Sequence, residues 1–363
     1  MRMLSIGSVS PEHGGNTEGG VAKIHSLLST EFVSNSDLEI ELIGVIATNS
    51  DISEDPINKV PYFSNKSGET RLECIQRLVD THNVECIFVH HITHSWASAL
   101  SLLQNPPICI GYVHSLNAIN PQINPNYKDK LEILNKSKPA FDLLIFNSPN
   151  SFNRSLELGI SFDCPIKILP PSVSQCFIDQ PISEKTQKDV IFVGRLDDNK
   201  GILNLIAAIK SCTNDMSLSI IGQGPLQTEV IDLIDNVKDK IDYIPYLESK
   251  ELAKIVCKTD VLCVPSKYES FGLVYAEALC LGVPVIGFAP SIEFIENELG
   301  IKCGVGLIEQ SVESISNAIQ QINNQEWDKI QVSNVARNKF SPTRQAKELS
   351  SLFHQIKRKR SGD

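Results

Sequence analysis

Nothing in this sequence approaches the run of about 20 apolar residues that a bilayer-spanning helix requires. Its first residues, MRMLSIGSVSPE, hold too few apolar positions for a secretory leader and read instead as a first β-strand. No CxxC pair occurs among the ten cysteines, which removes the commonest zinc and redox spacings. Several cysteines instead sit in apolar strands, Cys109 in PICIG and Cys263 in VLCVP, as buried free thiols of a reducing cytosol do. Excess positive charge is also missing. The net charge of −10 gives no whole-chain field that would gather nucleic acid. These absences leave a cytosolic protein, at most peripheral on a membrane. The short basic tail IKRKR and the patch KDKLEILNKSK at 128–138 are the weak signs of membrane contact.

What is present is ordinary globular composition, with 42% hydrophobic and 21% charged residues. A chain of 363 residues exceeds one ordinary core and suits two domains. In the first half, short apolar runs such as MLSIGS, LEIELIGVIA, CIFVHH, PICIGYVH and DLLIFNS alternate with helical patterns. That alternation predicts a parallel sheet covered on both faces. The second half repeats it through DVIFVGR, SLSIIGQG, DYIPY, VLCVPS and VPVIGF. The fold class read from this is α/β, with two doubly wound Rossmann-like domains facing across a cleft. The N-terminal domain spans 1–170, a Pro- and Ser-rich linker 171–189 and the C-terminal domain 190–340. A last helix within 341–363 either stays with the second domain or crosses back to brace the first.

Ligands of doubly wound sheets bind at the carboxyl ends of the strands, so the loops there hold the candidate chemistry. In VGRLDDNKG a strand ends at Gly194, Arg195 follows, and Lys200 precedes the next helix. A planar guanidinium fork and a movable ammonium at a strand–helix junction suit a diphosphate, although a solvated loop reads the same way. IIGQGP lacks the third glycine of a dinucleotide fingerprint, so Gly222 marks either a turn that lets a ligand reach backbone or a plain turn. In ESFGLVYAE, Glu269 lies in the loop after VLCVPS, and a helix starts near Phe271 or Gly272. The N–H groups of Gly272 and Leu273 then point into the loop as first-turn donors, a ready phosphate site. Glu277 follows inside that helix, and a carboxylate there accepts from vicinal hydroxyls. An acidic residue that merely stabilises a helix start is the alternative. HHITH, with His90, His91 and His94, has no standard zinc spacing and reads as cleft lining or loop packing.

Taken in order, GRLDDNKG, IIGQGP and PSKYESFGLVYAEALCLGVPVIG resemble the signature of glycosyltransferase family 4 on the GT-B fold. The first half resembles it more loosely, through Gly19, Gly20 and Val21, YVHS at 112–115 and FNS at 146–148. The resemblance implies a retaining transferase that moves a hexose-type sugar from a nucleotide-diphosphate sugar to a hydroxyl of a saccharide or lipid-linked acceptor, in surface glycan synthesis. It implies no metal and no cofactor; the donor carries UDP or GDP. It also implies roles. Arg195 and Lys200, after Gly194, would hold the diphosphate, Glu269 the sugar hydroxyls and Glu277 the ribose. The backbone of Phe271, Gly272 and Leu273 would line sugar and phosphate, with Gly20 near the diphosphate and His114 beside the sugar. The base would rest near Tyr246, Leu247 and Leu252. The stretch after the VPVIG strand departs from the family pattern, with Ala289, Pro290 and Ser291 where a Gly-Gly pair is common. A transferase-like subunit without chemistry of its own is the competing reading.

Overall fold

The computed structural model describes residues 1–11, 19–48, 59–121, 123–183, 189–211, 216–237 and 239–362. The chain divides into two units, one of Met1–Ser172 with Pro342–Asp363 and one of Val173–Ser341.

In chain order the first unit opens with β1 (Arg2–Gly7), α1 (Gly20–Ser34), β2 (Glu41–Ala47), β3 (Tyr62–Phe63), α2 (Arg71–His82), β4 (Cys86–Val89) and α3 (Ser95–Ala99). It continues with β5 (Ile108–Val113), α4 (Tyr127–Ser137), β6 (Leu143–Phe146), α5 (Pro149–Glu157) and β7 (Ile166–Ile168). The central strands are apolar on both faces because helices cover both: every residue of β4, β5 and β6 is buried. Helix starts follow local chemistry. Thr70 and Glu73 form a capping box at α2, and Ser148 caps α5 ahead of Pro149 at the first helical position.

The second unit comprises α6 (Gln175–Asp179), β8 (Asp189–Val193), α7 (Ile202–Ser211), β9 (Ser217–Ile221), α8 (Gln227–Ile234), β10 (Ile241–Ile244), α9 (Ser249–Val256) and β11 (Val261–Val264). It ends with α10 (Leu273–Cys280), β12 (Val285–Phe288), α11 (Ala289–Leu299), β13 (Gly304–Leu307), α12 (Val312–Asn324) and α13 (Lys329–Phe340). α14 (Pro342–Ser361) then belongs to the first unit. Its apolar stripe puts Ala346, Leu349 and Phe353 at 0% exposure, with the Phe353 ring edge-on to Phe88 at 5.1 Å. Gln345 fixes its start, donating to Tyr112 Oη at 2.8 Å and accepting from the Ser172 N–H at 2.9 Å.

Each unit holds one wholly parallel sheet. The orders are β3-β2-β1-β4-β5-β6-β7 and β10-β9-β8-β11-β12-β13. Each order reverses beside its first strand, between β1 and β4 and between β8 and β11, and these are the switch points at which such sheets bind ligands.

Two details differ from the sequence reading. Part of the stretch read as linker is helical: α6 places Phe177 in the core of the second unit at 0% exposure. The end of that stretch, 184–188, lies outside the described residues. Ala289, Pro290 and Ser291 form no loop; they are the first turn of α11, because proline is preorganised for a helix start.

Candidate functional site

Glycines build the second unit's switch point by letting two loops touch. The N–H of Gly194 donates to Ile221 O at 3.0 Å and that of Leu196 to Gln223 O at 2.9 Å. A Cβ on Gly222, whose φ is +149°, would lie 1.8 Å from Gly194 O, and one on Gly224 would lie 2.3 Å from Leu196 O. Both glycines therefore let one backbone approach another closely.

The loop after β8 then meets the loop after β11. Asn199 ties them: its side-chain amide donates to Tyr268 O at 3.0 Å, and its carbonyl accepts from the Lys267 N–H at 2.7 Å. Gln310, after β13, closes the junction. Its side-chain N–H group donates to Asn199 O at 2.9 Å and also to Pro265 O. Gly201, with φ +69°, leaves room for that amide, since its Cβ would lie 2.7 Å from Gln310 Nε2.

This frame sets Lys200 against Glu269. Lys200 Nζ donates to Glu269 Oε1, which also accepts from Ser266 Oγ at 2.7 Å. Both side chains are largely covered, 21% and 12% exposed, so the pair is only weakly screened. Arg195 behaves differently. It is 66% exposed and leans on Asp197 at 3.0 Å. The two cations read as one clamp are thus each held by an acid, one sheltered and one open to solvent.

α10 begins at Leu273, with Gly272 as its N-cap at φ +88° and no side-chain cap, so first-turn N–H groups lack intrahelical acceptors. Tyr275 sets this onset. Fully buried, it donates from Oη to Val264 O at 2.8 Å and accepts from the Phe288 N–H at 3.3 Å. Only glycine fits beside it, since a Cβ at Gly272 or Gly287 would come within 2.2 Å of the Tyr275 side chain. The Phe271 ring, 2% exposed, anchors the loop against Phe294 and Phe340. Glu277 lies one turn into the helix and is 7% exposed. Of the base-site residues, Tyr246 is half exposed, whereas the Leu252 side chain points into the core at 6% exposure. The frame residues Asn199, Gln310 and Tyr275 were missed by sequence reasoning; only the glycines facing them signal close packing.

Gly19, Gly20 and His114 belong to the first unit. Gly19 precedes α1 with φ +127°, and Gly19 and Gly20 are both exposed. Among the described residues at the switch point between β1 and β4, Ser5, Ser8, His25, His90 and His114 are buried. His25 on α1 bonds Ser5 Oγ at 2.9 Å and Ser8 O at 2.8 Å. His90, at the end of β4, faces His114, at the end of β5, with Nδ1 and Nε2 3.0 Å apart. Burial pushes the pKa of both rings well below the ordinary histidine value, helped by neighbouring rings, so both are neutral. Within HHITH, His91 Nε2 bonds Ser8 Oγ at 2.7 Å and His94 Nδ1 caps α3 by accepting from the Trp96 N–H. Burial lowers the pKa of both to about 4. Among the described residues no group of three or more His, Cys, Asp or Glu is arranged to hold a metal ion.

Residues 175–339, nearly the whole second unit, match the family of glycosyl transferases group 1. A curated relative from Klebsiella pneumoniae, an uncharacterized 41.2 kDa protein in the cps region, is 34% identical over 158 residues, which are 40% of this chain and 42% of that protein. The alignment thus spans less than half of that relative's length. Solved structures match the whole chain. Sucrose-phosphate synthase from Thermosynechococcus elongatus superposes with a TM-score of 0.75 at 18% identity, over 98% of this chain and 99% of that one. HepE of Anabaena, in complex with UDP and glucose, gives 0.71 at 15% identity, over 97% and 99%. The fold is GT-B.

Proposed function

We propose, from the match of residues 175–339 to the glycosyl transferases group 1, that this chain moves a hexose-type sugar from a nucleotide-diphosphate sugar to a hydroxyl of a saccharide or lipid-linked acceptor. The reading has the configuration retained, no metal required, and the product destined for a surface glycan. One observation carries it: a sheltered Lys200–Glu269–Ser266 cluster and an exposed Arg195 meet at the second sheet's switch point, beside an uncapped helix start.

Each part has a task in that chemistry. The departing nucleoside diphosphate carries negative charge, which Arg195, Lys200 and the first turn of α10 stabilise. The donor sugar's hydroxyls take over Glu269, and Lys200 is freed to turn to the phosphates. Glu277 accepts from the ribose hydroxyls. The acceptor oxygen bonds to the anomeric carbon as the carbon–phosphate-oxygen bond breaks. The hydroxyl proton passes to the departing phosphate oxygen, which needs no protein base. HepE's complex with UDP makes UDP the first base to try.

The test is a thermal-shift and hydrolysis panel of UDP-, GDP-, ADP- and dTDP-sugars on wild type and Glu277→Ala. A specific donor raises Tm and is slowly hydrolysed, and the mutant loses both responses. Silence towards all four would sink the proposal in favour of a subunit without chemistry. Activity that EDTA abolishes and a divalent ion restores would remove the metal-free mechanism.

A further inference from the structure

In the first unit, α3 packs against both α2 and α4. It has five residues, and the 3-10 turn Leu100–Leu102 adds three, whereas α2 has 12 and α4 has 11. A short element between two longer ones leaves their flanks uncovered. The gap is a groove of about 660 Å³, lined by the start of α2, by α3 with its 3-10 turn, and by Lys136 near the end of α4. None of its lining residues belongs to either switch point.

The chain has a net charge of −10, yet this groove is locally positive. Among the described residues lining it, Glu69 is the one acid, and its charge is already balanced. Arg77 donates to it at 2.6 and 3.0 Å, and the Lys66 N–H at 2.8 Å. Arg71 differs. Its guanidinium lies over the Trp96 ring, 5.8 Å from the centroid, and among the described residues no acid pairs with it. Stacking uses the flat face of the guanidinium and leaves its N–H edge for a ligand. Lys136 is held only by Glu132, an exposed pair one turn apart that a ligand readily displaces. Other lining groups are acceptors. Ser98 Oγ already donates to Ser95 O, and Asn65 Nδ2 to Glu69 O, so Ser98 Oγ and Asn65 Oδ1 remain to accept. Leu72, Ala99 and Leu102 add an apolar patch, with Leu102 65% exposed.

We infer that this groove binds an acidic saccharide, a sugar ring bearing a carboxylate or a phosphate. The acid takes the free edge of Arg71 and the Lys136 ammonium. Ring hydroxyls donate to Ser98 and Asn65, and the sugar's C–H face lies on Leu72 and Leu102. A bare anion would leave the acceptors and the apolar patch unserved, and a neutral sugar would leave the cations unserved. An acidic peptide fits less well. A helical one needs a row of apolar anchors and an extended one needs a strand edge, and a floor of short helix provides neither. Reading the groove as a holding site for a growing acidic glycan rests on the proposed function; the binding itself does not.

Trp96 lies under Arg71 and reports on it, and Trp327 is the chain's other tryptophan. The experiment is tryptophan fluorescence of the full wild-type chain, with Trp327→Phe to assign the signal to Trp96. The probes are D-glucuronate, glucose 6-phosphate, D-glucose, inorganic phosphate and tetraglutamate. One acidic sugar at least should bind about 10-fold more tightly than D-glucose, phosphate and tetraglutamate, and which one it is separates carboxylate from phosphate. Arg71→Gln should raise its Kd about 10-fold, as should Leu102→Asp, which sets a like charge against the acid. Should the first variant unfold, the second, at an exposed position, still decides. Silence towards both acidic sugars, equal affinity for D-glucose or phosphate, tighter binding of tetraglutamate, or variants that bind like wild type would each overturn the inference. Saturating UDP should leave the acidic sugar's Kd unchanged; competition would place that sugar at the second unit and also overturn it. UDP calorimetry on the same sample separates the two readings. Acidic-sugar binding without UDP heat sinks the transferase and keeps the groove; UDP heat without acidic-sugar binding does the opposite.

Discussion

The two units repeat one strand order, yet their switch points hold opposite chemistry. At β8 and β11 the loops present Arg195, Lys200, Asp197 and Glu269, all ionic. At β1, β4 and β5 the described residues present His25, His90, His114 and serines, all buried. Shared topology fixes where a ligand can sit, and side-chain charge fixes what it can be. An ion-lined junction with a helix start suits phosphate.

That contrast breaks most readily on the charged side. Replacing Arg195 and Lys200 together by Ala should cut sugar transfer by about 100-fold or more, by analogy with losing a transition-state donor. Normal turnover would show that charge at the second switch point does not serve a diphosphate. Glu277→Ala comes next. Losing hydrogen bonds to a carboxylate should weaken UDP binding about 10- to 100-fold in calorimetry, and an unchanged Kd would remove its ribose role.

Smaller effects sharpen the comparison by testing how each site is braced. Gly222→Ala should cost about 3 kcal/mol in denaturant unfolding, from overpacking plus left-handed strain. Gly19→Ala should cost less, because a Cβ there meets nothing within 4 Å. Gln310→Ala should lower stability by about 1–3 kcal/mol. It should also raise the donor KM more than it lowers kcat, as the Lys200 loop loosens from the Glu269 loop. The smallest effect lies just before α2. Hydrogen bonding to Arg77 lowers the Glu69 pKa from 4.5 to about 2 in the fold. Its folded value is the lower one, so its stabilisation holds above pH about 4.5 and fades as pH falls towards 2. Glu69→Gln should flatten the stability curve in that window alone.

The sheets and the charged loops were legible in the sequence because both are local. β4 and β5 are unbroken apolar runs, and Lys200 and Glu269 stand at strand–helix junctions a few residues long. The brace was not legible, because its members lie far apart in the chain. Gln310 reaches Asn199 across 111 positions, and nothing around it differs from a surface loop. The sequence also showed a histidine at 114 without showing that its partner is His90, 24 residues away. Short elements failed for a different reason. β3 holds two residues, too few for a period to show, and two of the four residues of β13 are glycines.

The return of α14 has a consequence for how the protein is made. The first unit's core lacks Phe353 and Leu349, and the clasp of Gln345 on Tyr112, until residues 342–361 leave the ribosome. By then all of Val173–Ser341 has been synthesised. Domains commonly fold in the order they emerge; here the unit that emerges first is the last to be completed. A nascent chain stalled before Pro342 would expose an apolar groove where α14 belongs, a surface for chaperones to hold while the second unit folds.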